Sequence, residues 1–234
     1  MNISFEKSPF YIDILSNSKL FRNFPKEKLE NLLEISDAQN WANKTCILNP
    51  DKTLYTFYII ISGRIKVYKV DKQNNRHITL FILTDHDAFD VCTLIDGCSH
   101  KVYYESLCET EVLVIPVFQM KLWVEENLYI LQSFLQYLIN KIHVLEEFAT
   151  DLSLEDTSTR LAKLLIRHMN TNTNKIQLIG DLSHNELAEM IGTTRAVFNR
   201  ELQDFKKNGI IKIERKYIEI TNLNLLLDKI RATN

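Results

Sequence analysis

Residues 181–220 read DLSHNELAEMIGTTRAVFNRELQDFKKNGIIKIERKYIEI. Ser183 followed three residues later by Glu186 is a capping box, in which the serine hydroxyl accepts from the N3 amide while the glutamate reaches back to the serine amide. The box predicts a short helix over 185–191, with Leu187 and Ile191 on one face. Gly192 permits the positive φ of a tight turn, and Thr193 or Thr194 can cap the next helix. In that helix Phe198, Leu202 and Phe205 fall at i, i+4 and i+7 and form a buried face, while Arg195, Ala196, Asn199 and Arg200 occupy another. Asn208-Gly209 ends it. Ile211, Ile213, Ile218 and Ile220 then alternate around Arg215-Lys216, which reads as a β-hairpin wing with a basic tip. Two short helices joined through a glycine turn, with arginines opening the second, read as a helix-turn-helix.

The chemistry follows from position. Side chains on the first half of a recognition helix reach base edges in the major groove, where arginine can donate two hydrogen bonds to guanine O6 and N7, worth roughly 1–3 kcal/mol against a wrong base. Ser183, Thr193, Thr194, Arg195, Ala196, Asn199 and Arg200 are the candidate contacts. Lys206, Lys207, Arg215 and Lys216 are candidates for phosphates, adding sequence-blind, salt-dependent affinity. An ordinary helical hairpin with solvated arginines would explain any one of these features. The capping box, turn glycine, arginine face and basic wing together favour DNA.

Working back toward the N-terminus, residues 118–152 contain neither glycine nor proline. Leu128, Leu131, Leu135, Leu138, Ile142, Leu145, Ala149 and Leu152 recur at alternating steps of three and four, the seam of a two-helix coiled coil. Such a narrow stripe favours self-association over packing on the chain's own body, which usually asks for a wider apolar face. Between 41 and 116 the texture is different. Short β-branched and aromatic runs at 55–61, 64–70, 78–83, 102–107 and 112–115 are separated by turn signals such as Asn49-Pro50-Asp51, Ser62-Gly63 and Asp96-Gly97, and predict a small antiparallel barrel or sandwich. Residues 9–35 read as helical, with Pro25 at a helix start. The fold class expected is α+β, with domains at 1–117, 118–155 and 156–234.

The chain has 234 residues and a formal net charge of −2, which by itself argues against a nucleic-acid partner. The average conceals an asymmetry. Residues 1–155 hold 15 basic and 21 acidic side chains, a net of −6; residues 156–234 hold 13 and 9, a net of +4. The C-terminal third alone is attracted to phosphate. No run of 18 apolar residues or secretory signal is seen, so a cytoplasmic protein without a membrane partner is expected. Cys46, Cys92, Cys98 and Cys108 then read as reduced thiols, and with no C-x2-C pair zinc is not expected. No phosphate loop, G-x-S-x-G or H-E-x-x-H occurs, so no enzyme is expected. Asp85-His86-Asp87 looks like a metal triplet, but on a strand adjacent side chains point to opposite faces.

The order of these parts resembles the Crp/Fnr family of bacterial transcription regulators. The resemblance is carried by Ile60-Ile61-Ser62-Gly63-Arg64-Ile65-Lys66-Val67-Tyr68, Asp87-Ala88-Phe89, Asp156-Thr157-Ser158-Thr159-Arg160-Leu161-Ala162, Leu187-Ala188 through Gly192, and 195–202. It implies an N-terminal antiparallel, jelly-roll-like β-roll of the cyclic-nucleotide-binding type, a long dimerisation helix and a C-terminal winged helix-turn-helix. It also implies a homodimer on near-palindromic double-stranded DNA, acting with RNA polymerase. Half-sites would lie one helical turn apart, about 34–36 Å, as in other helix-turn-helix dimers.

The departures from the family pattern bear on the effector. The cyclic-nucleotide binders carry a Gly-Glu pair and an Arg-Ser pair that holds the cyclic phosphate; 89–101 offers neither, although Asp90 stands where an acid could meet ribose. A cAMP site is therefore not expected. Nor is an iron–sulfur cluster, since no cysteine precedes Cys46. Haem sensing of CO or NO stays open, as does a thiol switch at Cys92 or Cys98, which would need a lowered pKa. Asp90, Cys92, His100, Lys101, His143 and Leu145 are the candidate effector residues. Many relatives place a glutamate just after the position of Arg195 to accept from cytosine; Ala196 cannot accept, but can touch a thymine methyl. The competing reading is a cyclic-nucleotide-binding-like adaptor without DNA activity, for which Arg195, Arg200 and the basic wing would have no use.

Overall fold

The computed structural model describes residues 8–22, 24–44, 47–74, 76–176, 179–214 and 217–231. Two compact units emerge, residues 1–76 with 80–143, and residues 77–79 with 144–234. The first begins with α1 (Ser8–Asn17) and α2 (Lys26–Glu34), and Pro25 stands immediately before α2. Then follow β1 (Asp37–Trp41), β2 (Ile47–Leu48), α3 (Pro50–Thr53), β3 (Thr56–Ser62), β4 (Ile65–Asp71), β5 (Arg76–Leu83), β6 (Ala88–Phe89), α4 (Val91–Asp96), β7 (Tyr103–Ser106) and β8 (Thr110–Pro116). The strands form two four-stranded sheets, in the orders β1-β8-β3-β6 and β2-β7-β4-β5.

The five successive apolar residues Phe57 to Ile61 are explained by burial on both faces. Successive side chains of a strand point to opposite sides. Tyr58 and Ile60 enter one core with Ile65 and Val67 of β4, Tyr104 of β7 and Val112 of β8, between the sheets. Phe57, Ile59 and Ile61 enter a second core with Tyr11, Leu15, Leu29 and Leu32 of the N-terminal helices. A strand sandwiched this way loses the apolar–polar alternation of a half-exposed one. Gly63 makes the turn into β4 with φ +110°, and a Cβ there would stand 2.7 Å from the Thr110 Cα. The strands at 37–41, 47–48 and 88–89 were not among those expected; they are short, and β1 carries polar Asp37, Gln39 and Asn40.

The helical stretch after β8 is two helices rather than the one expected over 118–155. α5 (Val117–Glu126) stops at Asn127, and α6 (Ile130–Leu154) starts anew. The cause is Asn127. Its buried amide donates to Trp123 O at 2.7 Å and its backbone NH donates to Val124 O, so side chain and turn replace the next helical hydrogen bonds. Leu128 consequently lies in the turn, outside either helix.

The second unit continues with α7 (Thr157–Arg167), α8 (His184–Met190), α9 (Arg195–Lys207), the hairpin β9 (Ile211–Ile213) and β10 (Ile218–Ile220), and α10 (Leu223–Arg231). Asp156 caps α7 by accepting from Thr159 N at 2.7 Å, and these hydrogen bonds hold its carboxyl below the usual carboxylate range. Lys163 joins the end of α6 to α7 through Asp151 and Glu155, each at 2.7 Å. Among the described residues, no helix is long and apolar enough to cross a membrane.

Candidate DNA-binding face and effector region

The capping box is present in full: Ser183 Oγ accepts from Glu186 N, and Glu186 Oε2 accepts from Ser183 N at 2.8 Å. α8 begins one residue earlier than expected and ends at Met190, one residue before the limit expected. Gly192 has φ +62° and carries the chain into Thr194, which of the two threonines is the cap; its hydroxyl accepts from Val197 N at 3.4 Å. Phe198, Leu202 and Phe205 are completely buried under α9. This leaves Thr194, Arg195, Ala196 and Arg200 exposed, with Asn199 and Thr193 half-buried beside them and Ser183 exposed at the start of α8. With the triplet buried, the expected base-reading side chains Thr194, Arg195, Ala196 and Arg200 are left open to solvent.

Lys206 and Lys207 are exposed at the far end of α9. The wing pairs Ile218 with Ile213 and Ile220 with Ile211, antiparallel as expected. Its tip residues Arg215 and Lys216 lie outside the described residues. Two contacts on α9 were not foreseen. Arg200 is ion-paired with Glu201, Nη2 to Oε1 at 2.9 Å, and His184 Nδ1 meets Asn199 Oδ1 at 2.6 Å. Neither pair lies in a recognisable motif; the adjacency of Arg200 and Glu201 was the only signal available.

In the effector region, the structure brings together Asp90 and His100. Asp90 takes the left-handed φ of +65° just before α4, its side chain is buried, and His100 Nδ1 stands 3.4 Å from Oδ1. Cys92 is exposed on α4, but partial burial and the carboxylates of Asp90 and Asp96 push its thiol up. That is the opposite direction to the lowered pKa of a reactive thiol. Cys98 is exposed and Lys101 is exposed. His143 is exposed on α6, and Leu145 is half-buried there.

The sequence Asp85-His86-Asp87 occupies a turn rather than a strand, and its carboxylates have structural work. Asp85 Oδ1 accepts from Gly63 N at 2.7 Å. Asp87 Oδ2 accepts from Thr84 N, while Oδ1 lies 3.0 Å from the Tyr137 hydroxyl and 3.2 Å from Lys141 Nζ. Tyr137 also donates to Ala88 O at 2.7 Å. Burial first, then Asp87, raises the tyrosine pKa well above its ordinary value. α6 is thereby tied to the turn that leads through β6 to Asp90. Among the described residues no group of three or more His, Cys, Asp or Glu side chains could hold a metal ion.

Along α6, Leu131, Leu135 and Ile142 are exposed, Leu135 by 59% and Ile142 by 53%, and Ala149 is exposed with them. Other seam positions are engaged. Leu138 packs against the core of its own unit, and the Leu152 side chain lies against Gly192. The stripe serves intramolecular packing as well as presenting an open apolar line.

Residues 159–229 match the model of the Crp-like helix-turn-helix domain, and residues 38–127 that of the cyclic nucleotide-binding domain. The chain is 27% identical over 209 residues to the global nitrogen regulator of Synechocystis sp., covering 87% of this chain and 90% of that one. It is 24% identical over 178 residues to a CRP-like cAMP-activated global transcriptional regulator of Mycobacterium tuberculosis, with 74% and 79% covered. A crp/fnr-family transcriptional regulator from Eubacterium rectale superimposes with a TM-score of 0.72 at 19% identity, over 91% of this chain and 97% of that one. FixK2 from Bradyrhizobium japonicum does so with 0.69 at 15%, over 83% and 96%. At these identities the superpositions speak for the fold.

Proposed function

We propose that this chain, which belongs to the Crp/Fnr family of transcription regulators, is a homodimer that reads near-palindromic DNA through α9 and acts with RNA polymerase, under an effector that is not a cyclic nucleotide. The observation that carries the DNA reading is the exposed surface of Thr194, Arg195, Ala196 and Arg200 above the buried Phe198, Leu202 and Phe205. The open apolar line of α6 supports the dimer, since large exposed leucines and isoleucines at heptad spacing gain most by meeting a second copy.

The effector reading rests on charge. The stretch 89–101 has no arginine, and its buried ionisable group is Asp90, next to His100. Without an arginine there the stretch has no bidentate partner for a cyclic phosphate, while Asp90 favours a ligand that donates hydrogen bonds. The Asp87–Tyr137–Lys141 cluster offers a route by which a change at Asp90 would reach α6.

Selection from randomised duplexes, followed by fluorescence anisotropy, tests the DNA reading. Arg200→Ala is expected to cost roughly 1–3 kcal/mol per half-site and to relax one guanine preference. An unchanged base preference would overturn it. Calorimetry tests the effector reading: no cAMP binding at micromolar concentrations is expected, and micromolar binding that changes DNA affinity would refute it.

A further inference from the structure

The two contacts on α9 that no motif announced involve adjacent residues of the DNA-reading surface. Arg200 turns its guanidinium back on its neighbour, with Nε 3.2 Å and Nη2 2.9 Å from Glu201 Oε1. Adjacent helix residues do not ordinarily face one another, so the arginine is folded along the helix surface to make this contact. The Glu201 side chain is 17% exposed and that of Arg200 74%, giving a sheltered anchor and a solvent-side arm. A guanidinium has five N–H donors in a rigid plane. With Nε–H and one Nη2–H on Glu201, the end-on edge still presents an Nη1–H and an Nη2–H in parallel. That edge matches guanine O6 and N7.

One residue earlier, the Asn199 Oδ1 lies 2.6 Å from His184 Nδ1. A carbonyl oxygen only accepts, so the ring nitrogen donates. The imidazole itself is steadied against Phe198, with ring centroids 5.5 Å apart. Asparagine recognises adenine by offering its oxygen and its NH2 together to N6 and N7. With one lone pair of the oxygen on the histidine, the amide plane is fixed, and Asn199 keeps its NH2 and a second lone pair to offer.

Resting on the DNA-binding reading above, we propose that Glu201 and His184 are positioning residues that set the base preference of this surface before DNA arrives. Glu201 aims the end-on edge of Arg200 at guanine. His184 fixes the orientation in which the Asn199 amide is offered. Neither residue needs to touch a base. The advantage is pre-ordering: an arginine already held in its reading conformation loses less freedom on binding, and loses it only in the conformation that fits guanine.

The experiment is operator selection and anisotropy on Glu201→Ala, Glu201→Gln, His184→Ala and Arg200→Ala, with thermal unfolding of each. Glu201→Ala is expected to lower the guanine preference at the Arg200 position by roughly three- to tenfold, the scale of one side chain's ordering. Its salt dependence should be unchanged, because no phosphate contact is lost. Glu201→Gln, which keeps an acceptor, should recover most of the preference. His184→Ala frees the Asn199 amide and should weaken whatever base preference that position shows by roughly two- to tenfold; an unchanged preference there overturns the proposal for His184. If Glu201→Ala leaves the preference intact while Arg200→Ala removes it, the proposal for Glu201 is overturned and the DNA reading stands. If Glu201→Ala weakens all sequences alike and lowers the unfolding temperature, the residue is structural and the proposal also fails. A preference unmoved by Arg200→Ala removes the DNA reading and the inference together.

Discussion

Replacing Gly192 with alanine tests the turn on which the DNA-reading unit depends. Gly192 sits at φ +62°, and the Cβ of an alanine would stand 2.4 Å from Leu152 Cδ2. Two costs follow, and they are separable. Holding an L-residue in the left-handed region costs roughly 1–2 kcal/mol. The steric conflict falls on the end of a leucine side chain, which can swing aside at about 0.5–1.5 kcal/mol for an off-rotamer torsion. The total expected is about 2 kcal/mol, a factor of roughly 30 in the local opening equilibrium. Both tryptophans, Trp41 and Trp123, lie in the other unit, so the suitable assay is amide hydrogen exchange across α8 and α9. The double variant Gly192→Ala, Leu152→Ala should recover the steric part and leave the backbone part, about 1–2 kcal/mol. Exchange unchanged in Gly192→Ala would refute the left-handed turn. Full recovery in the double variant would show that sterics alone had mattered.

Three further outcomes are expected. Leu135→Glu or Ile142→Glu, at exposed positions of α6, should yield a folded monomer by sedimentation with lost operator binding, whereas Leu138→Glu should also disturb folding because that residue packs inside. Lys206→Ala, on the exposed end of α9, should weaken all sequences alike and flatten the salt dependence by about one unit if it meets one phosphate. His168 should contribute an acid-sensitive term. Burial first, then Arg167, lowers its pKa from 6.5 to about 4, so the unfolded chain binds the extra proton between those values. Its contribution is fully present above pH 6.5 and is lost as the pH falls to about 4, up to roughly 3 kcal/mol at about 1.36 kcal/mol per unit. Denaturant titrations should show wild type losing stability relative to His168→Leu, which has no proton to take up there, as the pH falls from 6.5 to about 4; parallel curves would refute it.

Much of the DNA-binding unit was legible in sequence because its determinants are local. A serine and a glutamate three residues apart, a glycine at a forced positive φ, and phenylalanines at helical spacing act within a few residues of one another. They determine where α8 and α9 run and which face of α9 is buried, and so which side chains can meet DNA. The run at 55–61 marked a strand, but that Phe57 to Ile61 are buried on both faces, and which face meets which core, was decided by the packing of sheet and helices. Tertiary structure decided what depends on distant partners. Asn127 breaks the helical stretch by binding Trp123 on a buried site, and nothing in a glycine- and proline-free sequence marks it. Asp87 was legible as a metal-like triplet; only the fold brings Tyr137 and Lys141 to it across 50 and 54 residues. Asp90 and His100 meet because a left-handed residue starts α4 and the loop returns. Such contacts depend on how strands and helices pack, and side-chain identity alone does not specify which remote group will arrive. The same reason explains why the heptad stripe read as one seam while the structure divides it, with Leu138 turned to its own core and Leu135 and Ile142 left to the outside.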